Sequence, residues 1–164
     1  MNDLAMSKRR HIYFETLADA LADAKQLRDG YRRAGNWSLG QICHHLGTAM
    51  RYSREGFPSQ WPKFIQAITR FMALRGIQSR KTTRIRFPVP IDPPVELPDV
   101  EGVEYFAGGI ECFEQDTPDY CPHIVFGEMS PEQWRQFHLW HCEHHFSFLV
   151  PEKKTKPDWH TLNE

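Results

Sequence analysis

Apolar residues recur every three or four positions along most of this chain, and proline or glycine closes each run. In TLADALADAKQLRDG, Leu17, Ala20, Leu21, Ala24 and Leu27 share one helical face, and Gly30 marks the end of a first helix. NWSLGQICHHLGTAMRY carries Leu39, Ile42, Leu46, Ala49 and Met50 at the same spacing, and Ser38 with Gln41 three residues on supplies a capping box for a second helix. Pro58 and Pro62 interrupt the chain before FIQAITRFMALRG, where Phe64, Ile65, Ile68, Phe71 and Met72 predict a third helix closing at Gly76.

RFPVPIDPPVELPD holds five prolines, which exclude both a helix and a central strand and predict an extended crossover on the surface. Strand character is confined to TTRIRFPV, residues 82–89. GVEYFAGGIECFEQ predicts a further helix, weakened by Gly108 and Gly109. Ser130, Pro131 and Gln133 open the last helix as N-cap, first helical residue and capping-box partner, and it runs to about Leu149, where Pro151 stops it. Four or five helices with almost no alternating apolar pattern predict an all-α bundle, and the long crossover implies that some neighbours are not joined by short loops. Residues 1–12 read as an N-terminal arm, 13–150 as the bundle and 151–164 as a polar tail.

Composition narrows the function little. A chain of 164 residues fits one domain with a sizeable core, and 40% hydrophobic with 25% charged residues is ordinary globular usage. The formal net charge of −1 names no partner. No secretory signal and no run near the roughly 18 apolar residues of a membrane span is visible. Cys43, Cys112, Cys121 and Cys142 show no Cys-x-x-Cys spacing, so a reduced, cytoplasmic setting is expected, with a Cys112–Cys121 bridge as the alternative. A basic run from Lys63 to Arg86 would suit nucleic acid, but residues 92–132 hold eleven acids and no Lys or Arg. Pairing of these two segments, or two separately solvated faces, is the simpler reading, and a small molecule is the expected partner.

The chemistry concentrates in HLWHCEHHFSFL, residues 138–149, which holds four of the nine histidines. At about 100° per residue, Trp134, Phe137, Phe148 and Leu149 define an inward arc, with His141 and His145 near its centre and His138 and His144 nearer its edges. Arg135, Gln136, Cys142 and Glu143 are expected to project away. Two imidazoles at i and i+4 in a buried stripe need partners, and a shared cation satisfies both, because side chains four apart lie about 5 to 6 Å apart at Cβ. Their nitrogens can then meet zinc or nickel at about 2.0 to 2.1 Å. A third ligand is expected from His44-His45 on the second helix, where the wheel turns His45 toward the bundle and His44 toward solvent. His45, His141 and His145 are therefore the predicted ligands of a divalent transition metal with open positions.

Trp37-Ser38 followed by His45-Leu46, with His141-x-x-x-His145 in a late helix, resembles the DinB/YfiT-like superfamily of metal-dependent enzymes. Gly35-Asn36-Trp37-Ser38 and Phe126-Gly127-x-x-Ser130-x-x-x-Trp134 further resemble one bacterial branch of it, over roughly residues 13–149. The resemblance implies an antiparallel four-helix bundle, often dimeric, with one divalent cation held at the positions of His45, His141 and His145. Relatives in that superfamily include thiol-dependent transferases and a thiol-dependent isomerase, and together with the action of an open metal site on water or a thiol this leads to the expectation of a metal-dependent hydrolase or thiol transferase.

Three neutral ligands leave the cation's full charge to act on bound water or on a substrate thiolate. His138 is the best candidate for a general base, ahead of His144, Glu111 and Glu114, and His123 is placed near the mouth of the site. Glu143 stands two after His141 rather than one, so a His-Glu-x-x-His protease is excluded. The competing reading is a bundle of the same fold that serves as a non-catalytic binding or dimerisation module.

Overall fold

A computed structural model of the protein describes residues 9–78, 95–116 and 119–152, with backbone alone over 71–78. Most of the expected crossover, the TTRIRFPV segment, the basic run beyond Arg75 and the tail from 153 lie outside the described residues. The described part is mostly helical: α1 Leu17–Leu27, α2 Leu39–Glu55, α3 Lys63–Gln78, α4 Asp99–Phe113 and α5 Pro131–Phe146. A small sheet joins β1, Tyr31–Arg33, to β2, Leu149–Pro151.

Three helices open on reciprocal capping boxes. Thr16 with Asp19, Ser38 with Gln41, and Ser130 with Gln133 each satisfy two backbone N–H groups that a helix start leaves without partners. The start of α2 is held further. Leu39 N–H donates to Tyr31 Oη at 2.9 Å, Gly40 N–H to Asp99 Oδ1 at 2.9 Å, and Gln41 N–H to Ser38 Oγ at 3.2 Å. The Asp99 carboxylate, in the first turn of α4, thereby also sits at the positive end of α2.

Helix α4 begins at Asp99 rather than at Gly102, and its glycines are what bring it close to α2. A Cβ added at Gly102 would lie 2.5 Å from Gly40 Cα, and one at Gly109 would lie 2.7 Å from Gly47 Cα. Gly40 and Gly47 are seven residues apart, as are Gly102 and Gly109, so the bare faces meet at two successive levels. Glycine lowers helix propensity, and here the close approach of two backbones offsets that cost.

Helix α5 ends at Phe146 rather than near Leu149, because the next residues leave the helix to pair antiparallel with β1. Tyr31 faces Pro151, Arg32 faces Val150 and Arg33 faces Leu149. Strands of three residues leave no alternating pattern to read. The expectation that Cys142 projects away from the core is also corrected: its side chain is 0% exposed, because α5 is covered on more than one side. Leu17, Ala20, Ala24 and Leu27 of α1, Ile42, Leu46 and Met50 of α2, Phe106 and Ile110 of α4, and Trp134 and Phe146 of α5 fill one core.

Helix α3 docks differently from the apolar face its spacing suggests. Phe64 is 70% and Ile68 61% exposed, whereas Gln66 is buried and donates to Ile124 O at 3.2 Å, and Thr69 donates to Val125 O at 2.7 Å. Polar side chains, rather than the Phe64 and Ile68 row, turn toward the 123–127 turn.

The glycine contacts give a sharp contrast between neighbours. Gly109→Ala should lower the stability of the fold by about 1 to 3 kcal/mol, the usual cost of overpacking, in urea unfolding. Gly108→Ala meets only the Arg51 guanidinium, 2.8 Å away at the end of a flexible side chain, and should be neutral or stabilising by up to about 1 kcal/mol.

Candidate metal centre

His141 and His145 stand one turn apart on α5, and His45 reaches them from α2. His45 Nε2 lies 3.0 Å from His141 Nε2, and His145 Nε2 lies 3.1 Å from the same atom. The three candidate ligand atoms all fall within 4.8 Å of one another. Hydrogen bonding alone does not account for this. A neutral imidazole nitrogen carries either one N–H or one lone pair, so His141 Nε2 cannot complete good bonds to two further ring nitrogens. A cation accepts a lone pair from each. At metal–nitrogen distances of about 2.0 to 2.1 Å, ligand nitrogens at tetrahedral or right angles stand about 2.9 to 3.4 Å apart, which brackets both short contacts.

The rings are held neutral, as ligands must be. Burial pushes the His45 imidazolium down to about 4, with His44 and His144 adding repulsion. Burial likewise holds His141 and His145 well below the ordinary histidine range, reinforced by the other rings of the group and, for His145, by Arg9. Among the described residues, histidines and Arg9 are the charged or titratable groups acting on these three rings, with no carboxylate among them. His45 and His141 each keep 9% exposure and His145 is half-buried, so the cluster lies just beneath the surface.

Trp37, directly before the Ser38 cap, forms one wall. Its indole stacks on His145 at 5.2 Å with 5° between planes and tilts against His45 at 5.2 Å. His44 is half-buried rather than turned freely to solvent, because its ring stacks on Tyr105 at 4.8 Å. His144 packs against Trp140 and Phe148 and stands 5.0 Å from His145.

The remaining sequence candidates lie elsewhere. His138 is 1% exposed, stacked on Trp134 at 5.3 Å and edge-on to Phe113 at 4.6 Å, and neither ring nitrogen has a hydrogen-bond partner among the described residues. The wheel position near the edge of the arc misses this burial, because Phe113 arrives from another helix. His123 is not at a mouth. Its Nδ1 accepts from Val125 N–H at 3.1 Å and Phe126 N–H at 3.2 Å, which makes it the structural pin of a tight turn. Glu111 on α4 and Glu114 at its C-cap are exposed, and Glu114 lines a surface cavity of about 440 Å³ that shares no residue with the triad. All four cysteines are free, and Cys121 Sγ donates to Arg54 O, so the alternative Cys112–Cys121 bridge is not formed.

Fold and site together define a helical protein with a candidate three-histidine metal centre shared by two helices. The chain belongs to the DUF1569 family, described as a protein of unknown function, and matches it over residues 6–152. No curated protein and no solved structure matches the chain. Among the described residues no helix is long and apolar enough to cross a membrane.

Acid should unfold the protein through its buried neutral rings. Burial lowers both His123 and His138 to about 3, whereas in the unfolded chain they titrate near the ordinary value of about 6.5. Their contribution is complete above about pH 6.5 and is lost as pH falls toward 3, by up to about 1.4 kcal/mol per pH unit for each group. Thermal denaturation followed by circular dichroism in the presence of a chelator should show Tm falling steeply from pH 6.5 to 4. His138→Leu, close in volume, should flatten that slope; an unchanged slope would refute the assignment.

Proposed function

We propose that this chain is a DinB-like metalloprotein whose four-helix core holds one divalent transition cation, zinc or nickel, on His45, His141 and His145. The observation that carries the reading is the approach of three ring nitrogens from two helices to within 4.8 Å of one another, with the two short separations to His141 Nε2 suited to a common cation. In this reading the protein is a metal-dependent hydrolase or thiol transferase acting on a small molecule. A bound cation supplies Lewis acidity, which lowers the pKa of a coordinated water or thiol.

The chain's own residues supply position and exclusion. The i, i+4 pair on α5 fixes two ligands relative to each other, and the hydrogen-bonded start of α2 fixes the third. Trp37 holds the His145 ring by stacking and covers one side of the cluster. No proton-transfer role falls to His138 here, because its ring is enclosed by Trp134, Phe113 and Phe137. It forms part of the wall one turn before His141.

Metal analysis of the protein purified without chelator should give close to one zinc or nickel per chain. Each of His45→Ala, His141→Ala and His145→Ala should remove most of that metal, and His123→Asn should retain it. Metal added at about a thousandfold over its Kd should stabilise the wild type by about 4 kcal/mol, read as a rise in Tm that the triad variants lack. Full metal content in all three triad variants would overturn the proposal.

A further inference from the structure

Arg9 and Arg10 are neighbours with different tasks. Arg10 donates to both oxygens of Asp23 and to Phe146 O, and its backbone N–H donates to Ser147 O at 3.1 Å, so it ties the N-terminal segment to α1 and to the end of α5. Arg9 has no carboxylate partner among the described residues. Its Nε and Nη2 donate to Ser147 Oγ at 3.1 and 2.6 Å, Nη2 also donates to His144 O at 3.2 Å, and the guanidinium lies 3.8 Å over the Phe148 ring. Three hydrogen bonds and a stacked ring fix the fork in one orientation, while Nη1 makes no hydrogen bond among the described residues.

This fixed cation is bonded to the carbonyl of His144, the residue directly before the candidate ligand His145, and lies over Phe148, whose ring packs edge-on against that of His144. The triad's ligands are neutral, so a divalent cation there would add its full charge near Arg9, and among the described residues neither has a carboxylate partner. Partly desolvated positive charge without a counter-charge is costly, and an anion bridging the two relieves it. Resting on the metal reading above, we infer that the site takes an organic anion, one that coordinates the cation through one atom and places a carboxylate or phosphate oxygen on the free N–H groups of Arg9. Arg9 is then a specificity-determining residue contributed by the segment before the first helix.

A purely structural Arg9 is the competing account, since a cation near the carbonyls that end α5 is favourable by itself. That role would alter stability without discriminating between ligands. The test uses the full chain loaded with Co2+, in low-chloride buffer, with visible absorption following titration by mercaptoacetate and by 2-mercaptoethanol. The two share a thiol and differ in the carboxylate. Wild type should bind mercaptoacetate at least about tenfold tighter, the scale of one charge-assisted contact. Arg9→Gln should bring the two ligands within about threefold while cobalt content and 2-mercaptoethanol affinity stay unchanged, and Arg9→Lys should restore part of the preference. Cobalt bound without preference in the wild type, or an equal loss for both ligands in Arg9→Gln, overturns the inference alone. Failure to bind cobalt at all overturns the metal reading and this inference with it. The wild-type comparison requires no variant, so a poorly folded Arg9→Gln leaves the proposal open to refutation.

Discussion

The close passage of α2 against α4 is the constraint on which the site depends. With Gly40 and Gly47 set against Gly102 and Gly109, side chains cannot separate the two backbones at those levels, and α2 cannot roll without driving a larger residue into α4. At about 100° per residue, His45 lies roughly 140 to 160° around α2 from those two glycines, which leaves its ring on the side toward α5. The same contact brings Asp99 to the Gly40 N–H, so α4 both packs against α2 and caps it. Rotation and translation of the helix carrying one ligand are thereby set by features that never touch the triad.

The other two ligands depend on how α5 ends. The segment at Arg9 and Arg10 closes around its last turn, and beyond Ser147 the chain turns into β2, which pairs with the strand leading into α2. The β1 strand also contributes Tyr31, whose hydroxyl accepts from the first N–H of α2. One short sheet thus links the end of the helix carrying His141 and His145 to the start of the helix carrying His45. Trp37 sits in that linkage and contacts His45 and His145.

Buried imidazole is used in two chemically distinct ways in this molecule. In the triad, ring nitrogens face one another, and burial first, with their repulsion as cations second, keeps them as lone-pair donors. Around Trp134, His123 and His138 are enclosed by aromatic rings, and His123 spends its Nδ1 on two backbone N–H groups of a turn. The difference lies in what the nitrogens face, since burial depresses the protonation of both sets.

Local sequence determined the helices, two of the capping boxes singled out by Ser38 and Ser130, and the choice of His45, His141 and His145. Each of these is a relation within one helix, or a face of one helix, and a period of about 3.6 residues writes such relations directly into residue spacing. The tertiary structure alone decided that Cys142 and His138 are enclosed, that α3 turns Gln66 inward and leaves Phe64 outside, that Leu149–Pro151 pairs with Tyr31–Arg33, and that Arg9 comes to rest beside His144. Those outcomes need a second element at a particular distance and rotation. Helix spacing is fixed by paired absences, such as the four facing glycines, and a missing side chain in one segment carries no sign of which other segment will occupy the space.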